Sequence, residues 1–506
     1  MTYDTVLKRH KREGHAKVAQ WLAALTEQAR LRAGDFLGIA AEHFEQAGDD
    51  ANAAEFHARA AEQGGERFAH DRVLVHVGRA LALLGQVPAE QATQAAHITH
   101  PPDAGQPAEA ELRWRLLSVR ERTLELQARR DEQAVDLDAL ALLADACDDD
   151  RRRAEVAWRR GIRAMRMADW AAMESAARHG LACATRAGDD GLWLHALRLL
   201  AFAQLYQGDI DGGRALALQG LAEARRLKLR GVEARLLNVL TIAAEMQGDL
   251  VGSLDLNRQS LQAFREAGDR VNEAIGLSNL GGAWMLLGDL AQARRELDAA
   301  LQMLRANGDR VMEGGALCTL SALALWRGDE TRALTLARQA LDIAVAAQAR
   351  DREVLAGLRL GDAELALGRT AAAQQACAQA HARAVEIDVA FQHDASAGLA
   401  RVALAAGVAA ATQAALAALQ PLLNHVAAGG TLDGAEFPRQ IELTCHHALA
   451  RAGDPRAAEW LARAHRALMT RAEAITDPVL RQGFLHNSPL HREIVAAWAA
   501  QDTASG

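Results

Sequence analysis

Leucines stand in columns along this chain. Leu181, Leu221, Leu261, Leu301 and Leu341 fall 40 residues apart, and Leu197, Leu237, Leu277 and Leu317 form a second column with the same step. A small residue recurs in register with them, at Gly213, Ser253, Ala293, Ala333 and Ala373. Polar punctuation keeps the same beat: Gly188-Asp189, Gly208-Asp209, Gly248-Asp249, Gly268-Asp269, Gly288-Asp289, Gly308-Asp309 and Gly328-Asp329 are separated by multiples of 20. A helix commonly ends at a glycine of positive φ, and the next commonly starts at an Asp N-cap. Twenty residues between joints leave about four turns per helix. The pattern therefore predicts helical hairpins of 40 residues, cut as 150–189, 190–229, 230–269, 270–309, 310–349 and 350–389. The small residue lets the second helix cross the first, and the leucines fill the layer between units. The expected fold is all-α, a right-handed α-solenoid of about ten such hairpins.

Two charged columns share the period. Arg230, Arg270, Arg310 and Arg350 open successive first helices, and Glu233, Glu273, Glu313 and Glu353 follow three residues later. They could form a stripe for a partner. The structural account is that Glu in a first turn complements the helix dipole and pairs with a neighbouring Arg. Outside the centre the period loosens. Residues 110–149 form a unit with Ala128-Arg129 at the joint, Phe36 to His70 a hairpin around Gly48-Asp49, and 430–469 another around Gly453-Asp454. His97 to Pro107, with three prolines and a glycine, reads as a linker, and Ala427 to Gly434 as a weaker joint. The expected organisation is an N-terminal helical block over 1–96, a Pro-rich linker over 97–109, the main solenoid over 110–429, and a repeat with capping helices over 430–506.

At 506 residues a length rule would suggest several domains, but a solenoid grows by adding units that touch only their neighbours. Basic residues number 57 against 65 acidic, a net charge of −8, which argues against a general nucleic-acid binder. The first twenty residues run the other way, at +3. They could touch nucleic acid or an acidic surface, or form a helix flank that packs on an upstream module. Cys147, Cys183, Cys318, Cys377 and Cys445 are scattered, with no CxxC, and read as reduced intracellular thiols. No apolar stretch follows Lys8-Arg9-His10-Lys11-Arg12, and no run of about 18 apolar residues occurs, so a soluble cytoplasmic chain is expected.

Sites of chemistry do not assemble in the sequence. No Gly-Lys dipeptide exists to build a P-loop, and Gly368-Arg369-Thr370 with Gly361 has the wrong glycine spacing. Arg327-Gly328-Asp329 resembles an adhesion tripeptide but falls on the joint period. His446-His447 are adjacent, and His43, His57, His70 and His76 are irregularly spaced, so helix histidines are expected rather than a metal site. No G-x-S-x-G elbow or strand pattern supports hydrolase or cyclase chemistry. No catalytic residue, metal or cofactor is expected, and the chain should not be an enzyme.

The hairpins, their Gly-Asp joints and the phrase Leu277-Ser278-Asn279-Leu280-Gly281 resemble tetratricopeptide repeats, in a longer variety of about 40 residues. The ends resemble something narrower. Val6-Leu7-Lys8-Arg9 through His15, Val18, Ala19, Trp21 and Leu22 is one phrase, and Ile39 to Asp49 with Ala53-Ala54-Glu55-Phe56 a second. Ile475-Thr476-Asp477-Pro478, Leu480-Arg481, Phe484-Leu485, Asn487 and Pro489 to Ile494 make a third. Together they look like the helical half of bacterial signalling ATPases often fused to adenylate/guanylate cyclases. The chain would begin just after the ATPase module. That resemblance implies a sensor or protein-interaction scaffold that binds a protein or peptide partner or a regulatory ligand on its concave face, or else the regulatory half of a split or truncated ATP-dependent switch working with an upstream ATPase or cyclase. In tetratricopeptide repeats, first helices line a concave face and an Asn in this phrase holds a ligand backbone. Asn279 matches; Asn238, in Leu236-Leu237-Asn238-Val239-Leu240, is one place out of register, and Gly282 stands where a second Asn is common. Arg198 and Arg359 lie at nearby repeat positions, placed to meet a carboxylate.

Overall fold

A computed structural model describes residues 8–28, 34–66, 69–85, 107–127, 129–167, 169–347, 349–387, 389–406, 409–432 and 435–505. The predicted linker falls outside the described residues up to Pro107, which opens a helix, and so do Val6 and Leu7 of the N-terminal phrase. The helices in chain order are α1 (Lys8–Gln28), α2 (Gly34–Ala47), α3 (Asp50–Glu66), α4 (His70–Leu83), α5 (Pro107–Leu126), α6 (Arg130–Ala146), α7 (Asp150–Arg166) and α8 (Trp170–Ala187). Next come α9 (Asp190–Tyr206), α10 (Ile210–Arg226), α11 (Arg230–Gln247), α12 (Leu250–Ala267), α13 (Arg270–Leu286), α14 (Leu290–Asn307), α15 (Arg310–Trp326) and α16 (Glu330–Ala346). The last are α17 (Arg350–Ala366), α18 (Thr370–Ile387), α19 (Val389–Ala405), α20 (Ala409–Ala427), α21 (Pro438–Arg451), α22 (Ala457–Ala474), α23 (Pro478–His486) and α24 (Pro489–Ser505). No strand occurs among the described residues, and within α1 to α6 and within α9 to α24 each helix packs on the next along the chain, as an α-solenoid requires.

The joints are built as the sequence implies. Gly248 and Gly268 close their helices at φ +83° and +68°. The carboxylates of Asp249 and Asp269 then accept from the N–H groups of Gly252 and Asn272, at 2.8 and 3.1 Å. The helices between joints have 17 or 18 residues, longer than the expected four turns because the connections are only two or three residues long. The joint also tolerates other side chains. Lys228 and Asp148 take φ +58° and +48° at positions where most other joints hold glycine, at a steric cost of about 1–2 kcal/mol each.

The columns are core. Leu197, Leu237, Leu277 and Leu317 are buried, as are Ser253, Ala293, Ala333 and Ala373. A Cβ at Gly213 would stand 2.7 Å from the Ala201 carbonyl oxygen, so there the crossing admits no side chain at all. The charged columns are internal ties. Glu233 takes Arg230 at 2.7 Å and also Arg225, on the preceding helix, at 2.9 Å. Arg265 and Arg305 repeat the second tie to Glu273 and Glu313 at 3.0 and 2.9 Å. Burial alone would raise the Glu233 pKa, but the two guanidinium groups bring it below its usual value. These carboxylates hold consecutive hairpins together across the joint.

The chain divides into two compact units, Met1–Arg163 with Ala182–Asp189, and Ala164–Leu181 with Asp190–Gly506. The first has a core around Val73, Val77, Leu116, Leu117, Leu140 and Leu143. It also holds a buried ion pair between Arg120 and Asp136. In the second, the chain returns on itself. Leu461, Leu468, Ile475, Phe484 and Ile494, from the last helices, share one core with Leu254, Leu277, Leu280 and Leu304. The C-terminal phrase explains the fit. Asp477 caps α23 by accepting from Val479 and Leu480, and Pro478 and Pro489 open α23 and α24. Asn487 Nδ2 donates to the Gly288 carbonyl at 2.8 Å, across 199 residues of sequence. We refer to α23 and α24 as the clasp.

His491 stands at the centre of the clasp, its Nδ1 2.6 Å from the Phe484 carbonyl oxygen. Burial, with Arg471 and Arg439 adding to it, pushes its pKa from 6.5 down to about 4 despite that bond. A histidine depressed by folding contributes stability that is complete above pH 6.5 and is lost as pH falls to about 4, at most about 3 kcal/mol. Asp394 and Glu245, both pushed up to about 7 chiefly by burial, act with the opposite sign over the same window. The expected result is that wild type loses more stability than His491→Gln between pH 7 and 4.5 in matched thermal melts. Parallel curves would sink the assignment.

Candidate binding site

Asn238 on α11 and Asn279 on α13 meet. Asn279 Nδ2 donates to Asn238 Oδ1 at 2.8 Å, which makes a side-chain rung between adjacent hairpins. The one-place register difference seen in the sequence is what brings the amides together. Arg198 lies 40 residues before Asn238, in the same column one hairpin earlier on α9. It is only 8% exposed, and among the described residues no carboxylate pairs with it. Burial, with Arg235 and Arg166 as neighbouring cations, pushes its pKa down to about 9. Arg235 is engaged by Asp269 at 2.8 Å, and Arg166 reaches the Met312 sulfur on α15 at 3.3 Å.

Arg359 on α17 is placed differently. Its guanidinium lies 4.1 Å from the Phe437 ring centre and pairs with Asp362 at 3.2 Å. Arg401 takes the other oxygen of Asp362 at 2.7 Å. Asp394 accepts from the backbone N–H groups of Glu436 and Phe437, both at 2.9 Å, and so pins the 435–437 segment beside Arg359. The recess among these residues encloses about 10 Å³, room for no more than a water. Arg359 is thus bound into a structural network.

A second set of residues on this side went unread in the sequence. Arg198, Phe202 and Tyr206 follow at intervals of four and share one face of α9. Trp170 stacks on Tyr206 with ring centres 4.4 Å apart, and Phe202 lies 4.9 Å from Tyr206. Tyr206 is 40% exposed. Even so, protein surrounds its hydroxyl closely enough to push its pKa up to about 12, by burial first and then by Glu436, with Glu245 and Asp351 adding to it against Arg352. Glu245 on α11 is likewise pushed up to about 7, by burial and then by Glu436. Burial pushes the Cys318 thiol up to about 11, far from a reactive thiolate. The spacing of 198, 202 and 206 was available in the sequence. The approach of Glu436 was not.

Histidines pair rather than cluster. Nδ1 of His57 lies 3.0 Å from Nδ1 of His76, and His15 and His43 meet at 2.7 Å. Among the described residues no group of three or more His, Cys, Asp or Glu could hold a metal ion. No helix among them is long and apolar enough to cross a membrane.

No protein-family model and no curated protein matches the chain. Solved structures do resemble it. A Rap protein complexed with competence and sporulation factor is similar at a TM-score of 0.50 and 12% identity, over 74% of this chain and 98% of that one. The apo form of RapI gives 0.42 and 14%, over 54% and 99%. A signal transduction ATPase with numerous domains and a tetratricopeptide repeat sensor, from Pyrococcus horikoshii, gives 0.44 and 13%, over 91% and 71%. The shared property is the fold, an all-α solenoid of tetratricopeptide type.

Proposed function

We propose that the second unit is a non-catalytic scaffold that binds a protein or peptide partner, as an extended segment, along the concave face formed by first helices α9, α11, α13 and α15. The observation that carries this reading is the Asn238–Asn279 rung. One hydrogen bond is made between the two side-chain amides, which leaves the Asn238 NH₂ and the Asn279 Oδ1 to pair with an acceptor and a donor on a ligand backbone. The Rap protein of similar fold was crystallised with competence and sporulation factor, and a partner held by helical repeats is the arrangement carried over here.

The test is selection from a displayed library of random twelve-residue peptides on the whole chain. Selected peptides should lose about tenfold in affinity on Asn279→Ala or Asn238→Ala, the worth of one or two ligand hydrogen bonds. Binding unchanged in both variants would move the site off this face, and a library that yields no binder would count against the reading itself.

Three further parts belong to the same proposal. On this reading the chain acts by binding and leaves catalysis to other molecules; nucleotide turnover by the purified chain would overturn that part. It resides in a reducing cytoplasm, where its five cysteines persist as thiols. The end phrases add one candidate partner, an ATPase or nucleotide cyclase module; turnover by such a module, measured with and without this chain, tests that coupling.

A further inference from the structure

We infer that the ligand of this face carries a carboxylate that seats on Arg198, with an aromatic or large apolar side chain about two positions along that stacks on Trp170, Phe202 and Tyr206. This deepens the peptide-binding reading and rests on it. The first support is Arg198 itself. Its Nε is buried without a hydrogen-bond partner, and among the described residues no carboxylate pairs with the guanidinium. The charges that act on it, from Arg235 and Arg166, have its own sign. Buried cations in proteins are paired, because an uncompensated one is costly to hold away from water. Glu233, a buried carboxylate a short way along the same scaffold, has two arginines. Arg198 has no counter-ion of its own, so the place for one is open to a ligand. The geometry favours a carboxylate, which matches the planar guanidinium fork.

The second support is independent of charge. Phe202 and Tyr206 continue the Arg198 face of α9, about 6 and 12 Å further along the helix axis. Trp170 completes a three-ring platform on which Tyr206 keeps a solvent-reached surface. An extended peptide advances about 3.3 Å per residue and points alternate side chains the same way. Where the segment follows α9, a carboxylate on Arg198 therefore puts the side chain two positions on over Phe202. Acid–any–aromatic is the pattern that fits.

Sodium 3-phenylpropionate is the smallest probe that combines the two groups; its neutral alcohol, sodium propionate and inorganic phosphate are the comparators. Calorimetry and thermal melts on the whole chain should show saturable binding of 3-phenylpropionate, weakened about tenfold or more by Arg198→Met and by Phe202→Ala. In anion-poor buffer Arg198→Met should melt above wild type, because it removes a buried unpaired charge. A merely structural arginine predicts a lower melt, and that result would overturn the seat. Phosphate binding that needs Arg198, without 3-phenylpropionate binding, would also overturn it, by pointing to an anion site with no aromatic requirement. Library peptides that depend on Asn279 but enrich no acidic position would overturn this inference and leave the peptide reading standing. Conversely, 3-phenylpropionate bound through Arg198 with no library binder would sustain the seat against the peptide reading.

Discussion

Gly288→Val should destabilise the second unit by about 3–5 kcal/mol, well beyond what a left-handed joint accounts for. A β-branched residue at positive φ costs about 1–2 kcal/mol by itself, and Gly288 sits at φ +81°. The remainder comes from the clasp. A Cβ at this position would stand 2.3 Å from the Gly483 carbonyl oxygen and 2.4 Å from its carbon, both backbone atoms of α23. Backbone cannot step aside as a flexible side chain can, so α23 must lift. Lifting it exposes Phe484, now 2% accessible, whose burial is worth about 3 kcal/mol, and it breaks the Asn487–Gly288 bond. Gly328→Val is the control, since Gly328 has φ +74° and open space around a Cβ; it should cost only the strain. Denaturant melts give the two magnitudes. Amide exchange should show α23 and α24 opening in Gly288→Val alone. Equal losses at both glycines would mean the clasp adds nothing at this joint.

Asp136→Ala in the first unit should cost about 3–5 kcal/mol, the penalty for leaving a buried cation without its partner. Arg120 gives Asp136 two hydrogen bonds, at 2.8 and 2.5 Å, and Asp136 is 1% exposed. Arg120→Met with Asp136→Leu should recover most of that loss, because apolar groups of similar size fill the space without a desolvation cost. A double variant as unstable as the single one would show that the pair fixes geometry that packing cannot replace.

How much of this was legible follows from how far apart the partners lie. Gly-Asp joints, the leucine columns and the small residue at the crossing act within one hairpin, and all were readable from spacing. The Glu233 column was readable as charge. Its second tie from Arg225, Arg265 and Arg305 was passed over, although that column also repeats every 40 residues. Asn238 is one place out of register with Asn279 in the repeat, yet that offset makes the rung. Arg198 and Arg359 looked alike in the repeat. One is a buried cation with no carboxylate beside it; the other is held by Asp362 and Phe437.

The sequence by itself determined the helices, their joints and the small-residue crossings, because each depends on backbone preferences and nearest-neighbour packing that recur with the repeat. Only the tertiary structure decided that Asn487 reaches Gly288, that Glu436 borders Tyr206, and that Arg166 touches Met312. Those meetings depend on the small rotation added at each hairpin, summed over many of them. No single repeat carries that sum, since stacked units specify their neighbours and leave the closure of the ribbon to accumulated geometry.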